Sequence, residues 1–229
     1  VSVPANTTVS FTFSESVDIA SAAAFSLECP VGLPIGFTVT SPATMPVSAT
    51  TFTLTPAGFL PDATTCRVTV IAAEVVDTDT DEPPDGMVTD FTSTFTTEAP
   101  PAVTTTIPTN GATGAATGAN LVINFDEPVN VTTGSFTIEC PVGTPQTFAV
   151  SGSGTTTITL DPNANLPATS TCSVTVLATG VSDSDLNDPP DLMVADYSFT
   201  FDTLIDTAPT VSSIIPTNGA TGVAATPTL

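Results

Sequence analysis

Apolar and polar residues alternate along most of this chain, in short bursts. Val9, Phe11 and Phe13 interleave with Thr8, Ser10 and Thr12, the period of two that puts one strand face on a core and the other in water. Phe25 and Leu27 lead into Cys29 on the same parity, and Phe37 with Val39, Phe52 with Leu54, and Cys66 with Val68 and Val70 repeat the pattern. Phe91 and Phe95 mark a last strand. Pro, Gly, Asp and Asn separate the bursts, as turns require. A second series follows: residues 103–107, then Leu121-Ile123-Phe125, Phe136-Ile138-Cys140, Phe148-Val150, Ile158-Leu160, Cys172-Val174-Val176 and Tyr197-Phe199-Phe201. No segment carries a helical period. Residues 20–24 come nearest, and they are too few to hold a helix.

The two series are copies. The string Ile-Pro-Thr-Asn-Gly-Ala-Thr-Gly at 107–114 returns letter for letter at 215–222, a shift of 108, and self-similarity at a fixed period marks a tandem array. The expected division is a module lacking its first strand at 1–98, a complete module at 99–206, and a first strand without its module at 207–229. Two arrangements account for this offset. The chain is a window on a longer array, or the tail of one copy completes the headless module of the next by strand donation, with Val211, Ile214 and Ile215 as the assembly strand. Under both, the partners are adjacent modules or copies of the same chain in a linear fibre, because heterologous contacts that do not close make filaments.

Two cysteines fall in each copy, Cys29 with Cys66 and Cys140 with Cys172, in matching contexts. Zinc is a poor alternative, with two thiols per module, no histidine and no CxxC spacing. The expected bonds are Cys29–Cys66 and Cys140–Cys172, and they imply an oxidising, extracytoplasmic compartment. Seven short alternating strands with an inward cysteine pair predict an all-β chain of tandem immunoglobulin-like sandwiches. The absence of tryptophan removes the antibody-type core.

The formal charge of −22, with Arg67 as the one basic residue, excludes nucleic acid and anionic membranes as partners. No apolar run reaches the roughly 18 residues a membrane helix needs. The charge fits a soluble acidic surface, cation binding or a saline habitat.

One further pattern joins these features. The order Pro-x-Val, then Pro-Thr-Asn-Gly-Ala-Thr-Gly, Phe125-Asp126-Glu127-Pro128-Val129, Thr157-Ile158-Thr159-Leu160-Asp161-Pro162 and a final Phe-x-Phe strand resembles the bacterial Ig-like repeats of S-layer and surface proteins. That resemblance implies a spacer or scaffold outside the cell.

The candidate chemistry lies in an acidic loop present in both copies. Asp77, Asp79, Asp81 and Asp85 correspond to Asp183, Asp185, Asn187 and Asp191 at a shift of 106. Oxygens at alternate positions can turn toward one point, as Ca²⁺ requires, although the loop lacks the glycine and glutamate of an EF-hand. A solvated turn explains the same residues. Glu15 and Glu127, in the matching loops after the second strand, could add ligands, and Asp206 and Glu98 lie near the module junctions, where a cation would stiffen the linker. Without histidine or lysine, and with one tyrosine, the many hydroxyls have no base to activate them, so no enzyme activity is expected. Lysine's absence also removes Lys–Asn isopeptide cross-links. Sequons at Asn6 and Asn130 are candidate glycosylation sites. The expected function is a structural filament, stalk or surface-layer element, with an adhesin or a spacer on a secreted enzyme as alternatives.

Overall fold

The computed structural model describes residues 2–79, 81, 83–184 and 189–222. In the first module the alternating bursts become β1 (Val9–Ile19), β2 (Phe25–Glu28), β3 (Phe37–Ser41), β4 (Val47–Pro56), β5 (Thr65–Val70), β6 (Val75–Asp77) and β7 (Phe91–Thr96). They form two sheets, ordered β3-β4-β1-β6 and β2-β5-β7. The second module is built from β8 (Val103–Ile107), β9 (Ala112–Ala115), β10 (Leu121–Asn130), β11 (Phe136–Glu139), β12 (Phe148–Ser151), β13 (Thr155–Pro162), β14 (Thr171–Val176), β15 (Ser182–Asp183) and β16 (Tyr197–Thr203). Its sheets run β12-β13-β10-β15, with β8 also on β10, and β11-β14-β16-β9. The chain is all-β, as the period-two pattern predicts.

Register explains why each alternation buries one face. Phe11 stands opposite Phe52 and Val9 opposite Leu54 across β1 and β4; Ile123 faces Ile158 and Leu121 faces Leu160 across β10 and β13. Apart from half-buried Val9, these residues are buried together with Leu27, Cys29, Cys66 and Val68 in one core and Ile138, Cys140, Cys172 and Val174 in the other. Each large apolar side chain so buried contributes about 1.5–3 kcal/mol, and shifting a strand by one residue would turn its whole set outward.

The structure departs from the sequence pattern in four places. Glu15 and Glu127 do not lie in loops after a strand: they sit inside β1 and β10, where the pairing with β4 and β13 shifts register between Thr12 and Val17 and between Asn124 and Val129. A bulge absorbs the extra residues while the strand continues. Short strands also form where only turns were expected. β9 comes from the repeated string and pairs in parallel with β16, and β6 and β15 come from the starts of the acidic loops. The alanine run gives a 3-10 turn at Ala22–Ala24, with Ser21 accepting the Ala23 N–H. Finally, Phe59 and Phe91 are 74% and 52% exposed rather than in the core.

Candidate functional site

Both expected disulfides form, Cys29–Cys66 and Cys140–Cys172. Glu28 stands opposite Arg67, and Glu139 opposite Ser173, in antiparallel neighbours of the same sheet. Each cysteine pair is the next rung, with Cα atoms 4.3 Å apart, the close spacing of a non-hydrogen-bonded antiparallel pair. The bonds therefore staple two adjacent strands within one sheet and do not cross between sheets. The Pro-Val-Gly turn that follows positions the first sulfur. Cys29 N–H donates to the Leu33 carbonyl and Cys140 N–H to that of Thr144, both at 2.9 Å. Glu28 and Glu139 accept the turn's Gly32 and Gly143 N–H groups at 2.7 and 2.9 Å. In the first module Arg67 also donates to Glu28 at 2.7 Å. Those two donors, the guanidinium first, hold the Glu28 carboxyl below its ordinary range.

The acidic loops differ between the modules. In the first, Asp79, Asp81 and Asp85 are exposed and Asp77 is half-buried at the end of β6. Asp77 accepts the Asp79 N–H at 3.1 Å, and its own N–H donates to the Asp85 carbonyl at 2.9 Å. That is the geometry of a polar turn. In the second, Asp183 is 3% exposed, and its N–H donates to the Asp191 carbonyl at 2.8 Å. Its side chain accepts the Ser184 N–H, and its carbonyl accepts from the Asn130 side-chain amide at 3.1 Å. Asp185 and Asn187 lie outside the described residues.

What brings the second site its character is Glu127, carried inward by the β10 bulge. Its pKa is pushed up to about 7, first by burial, then by the charges of Asp183, Asp126 and Glu98, and by a hydrogen bond with Asp183. Asp126 meanwhile anchors the start of β8 to β10: it accepts the Ala102 N–H at 2.8 Å and donates its own N–H to the Ala102 carbonyl at 3.1 Å. One carboxylate oxygen of Asp191, Oδ1, is buried with no hydrogen-bond partner among the described residues. The donor chemistry here, carboxylate oxygens only, is that of a hard cation. Among the described residues, however, no three acidic side chains converge closely enough to hold a metal. The sequence pattern pointed to the loop; the bulge that adds Glu127 and the linker end that adds Glu98 were legible only as nearby acids.

Neither the sequons nor the assembly strand is placed in an organised site. Asn6 is exposed and Asn130 is half-buried, its amide nitrogen engaged by Asp183. Val211, Ile214 and Ile215 lie in a tail, residues 204–222, that forms no strand and is exposed throughout.

One pair of side chains was missed in the sequence altogether. Thr97 and Thr203 are 1% and 2% exposed at the ends of the last strands. Thr97 Oγ1 donates to the Pro61 carbonyl at 2.6 Å and accepts the Thr64 N–H at 2.8 Å; Thr203 Oγ1 donates to Pro167 at 2.7 Å and accepts the Ser170 N–H at 3.0 Å. The hydroxyl ties the strand end to the turn before β5 or β14, where Ala63 and Thr169 hold left-handed backbone at φ 49° and 55°. Its recurrence at the same place in both copies was the available signal.

No helix among the described residues is long and apolar enough to cross a membrane. No curated protein sequence matches the chain. Among solved structures it is similar to PcoC, a methionine-rich copper resistance protein from Escherichia coli, with 20% identity over 45% of this chain and 99% of that one and a TM-score of 0.32. It is also similar to the titin Z1Z2 domains in complex with telethonin, at 16% identity, 90% and 91% coverage and a TM-score of 0.32. A chimeric titin Z1Z2 carrying a decorin peptide gives 14%, 91% and 93%, and 0.29. None of these likenesses bears on function. The family model of the bacterial Ig-like domain, by contrast, matches twice, over residues 1–97 and 98–203. With two sandwiches in tandem and a matching staple in each, the chain belongs to the bacterial Ig-like domain family.

Proposed function

We propose that this chain is part of an extracellular structural protein, in which tandem Ig-like modules form a filament, stalk or surface-layer element that grows head to tail. The observation that carries this reading is the repetition of one stapled sandwich, with its lead sequence appearing again after the second copy. A module that repeats along the chain lengthens a structure without adding chemistry, and a disulfide in each module suits an oxidising exterior. Ca²⁺ belongs to the proposal as a ligand of the acidic loops at 77–85 and 183–191, with a harder fibre as its effect. The test is electron microscopy of the native source, with antibody labelling to place the chain. Labelled fibres or a labelled surface layer are expected; label confined to the cell interior would overturn the reading.

An adhesin is the second reading, and one observation favours it. Phe59 is 74% exposed and borders a shallow recess with Asn6 and Pro56, the kind of aromatic that binding surfaces use.

A further inference from the structure

The covalent link between the two sandwiches is short. Glu98 is held by the first module: its N–H donates to the Val3 carbonyl at 2.8 Å, and its carbonyl accepts the Ala63 N–H at 2.7 Å. Ala102 is held by the second, where the Asp126 carboxylate accepts its N–H at 2.8 Å and its carbonyl accepts the Asp126 N–H at 3.1 Å. Between them lie residues 99–101, and Pro100 and Pro101 stiffen that stretch through their ring-fixed φ angles. A linker of this kind still leaves a pivot, and relative motion is the default for modules so joined.

A second contact joins the modules. The Ala5 N–H of the first donates to the Pro189 carbonyl of the second at 2.8 Å. Both partners are fixed in their own modules. Ala5 is 1% exposed, and its carbonyl accepts the N–H of the core residue Leu60 at 2.8 Å. Pro189 stands in the acidic loop, just before the arm that returns along β15. There the Asp191 carbonyl accepts the Asp183 N–H at 2.8 Å and Leu192 bridges to Ser182, while β15 pairs with β10 through Asp183 and Val129. Pro189 and Pro190 are half-buried, whereas their counterparts in the first module, Pro83 and Pro84, are exposed. The same dipeptide is covered where Ala5 lies opposite it.

We propose that the acidic loop of the second module is a clamp that, together with the linker, fixes the angle between the modules, and that its seat is the turn at residues 4–7 of the first. The inference rests on the structural reading above and gives it a joint. Two connections restrain the rotation that one leaves open, and a buried N–H such as that of Ala5 is unfavourable without its partner. Both halves of the joint recur. Leu166 N–H donates to the Thr117 carbonyl at 2.8 Å as Leu60 does to Ala5, and Asp77 N–H donates to the Asp85 carbonyl at 2.9 Å as Asp183 does to Asp191. Each module therefore carries both a seat and a loop, the condition for one angle to repeat along an array. Backbone groups make the contact. The charges of Glu98 and Glu127, which act on one another, oppose its closure.

Residual dipolar couplings of the 229-residue chain, aligned in a neutral gel with EDTA present, test this. Expected are one alignment tensor for both modules and slow exchange of the Ala5 amide. Ala5 is the second residue of a turn closed by the Thr7 N–H on the Pro4 carbonyl at 3.1 Å, a position that favours proline. Ala5→Pro therefore removes the donor in a backbone that suits it, and should split the tensor in two. Pro189→Gly with Pro190→Gly loosens the loop from the other side; it should split the tensor and bring the Ala5 amide into fast exchange. Pro83→Gly with Pro84→Gly changes the same dipeptide in the first module and should do neither. Two tensors in the wild type, or a single tensor that forms only when Ca²⁺ is added, overturn the proposal. So does a single tensor that survives in Ala5→Pro. If Ala5→Pro disturbs the amide spectrum of the first module's core, the glycine pair at 189 and 190 decides in the same way. These failures leave the extracellular structural role standing, since antibody labelling at the source reads that role; label inside the cell would remove the role and leave the clamp.

Discussion

Asp183 and Glu127 share a hydrogen bond at the junction end of the second module, the first from a two-residue strand and the second from a bulge. Two carboxyls in contact cannot both be charged cheaply, and the Glu127 carboxyl is pushed up to about 7, first by burial and then by the Asp183 charge. In the unfolded chain the same group titrates near 4.5. Between these values the folded state holds a proton that the unfolded state has released, so this contribution to stability is full below about pH 4.5 and is lost as pH rises through about 7. Because the group is substantially solvated, the loss is discounted to on the order of 1 kcal/mol. Melting curves of the second module in EDTA should fall from pH 5 to pH 8, and Glu127→Gln should flatten that slope. An unchanged slope in the variant would remove Glu127 as its source.

A cation at this cluster would act in the opposite sense. Ca²⁺ competes with the proton for carboxylate oxygens, so at pH 8 millimolar Ca²⁺ should raise the melting temperature of the second module, and EDTA should reverse it. Occupancy at a hundred times Kd corresponds to about 2.7 kcal/mol. The first module, whose loop acids Asp79, Asp81 and Asp85 are exposed, should respond less. Calorimetry of wild type and Glu127→Gln with Ca²⁺ and with Mg²⁺ checks both points; equal traces with and without Ca²⁺ would reduce the acidic loops to solvated turns.

Reduction should weaken both modules. The bonds close loops with sequence separations of 37 and 32, each stabilising by about 3–4 kcal/mol in the chain-entropy model. Both melting transitions should move down with dithiothreitol, and Cys29→Ser with Cys66→Ser should move only the first. A transition that ignores reductant would show that its staple contributes little.

Thr97 and Thr203 make the sharpest local prediction. Replacing either with valine keeps the shape and takes the hydroxyl from a part-buried carbonyl and a part-buried N–H, at about 0.5–1.5 kcal/mol each. Denaturant midpoints should drop for Thr97→Val in the first module and Thr203→Val in the second. Serine, which keeps the hydroxyl, should recover most of the loss. A valine variant as stable as wild type would show that water or another hydroxyl takes over the bonds.

Most of the fold was legible in the residues because it depends on short-range rules. Period-two alternation places Phe52, Leu54, Val68 and Cys66 on one face whatever the rest of the chain does. Two copies of one pattern also report the same strands twice, and cysteines with shared parity and matching contexts pair within a module. The acidic loops were visible as composition. What remained hidden depends on which strands become neighbours. Alternation does not say that β2 and β5 lie side by side, so it could not place the disulfide within one sheet. Nor could it tell a loop from a bulge at Glu127, since the continuation of β10 is decided by its pairing with β13 and β15. The contrast between Ile123 and Phe11 is of the same kind. Both are buried strand residues of inward parity, and their exposures of 0% and 8% follow from their neighbours: β8 lies beside Ile123, and among the described residues no strand lies beside Phe11 on that side. Sequence determined which faces were apolar; tertiary structure decided which of them were covered, because burial is a property of neighbours and not of the strand itself.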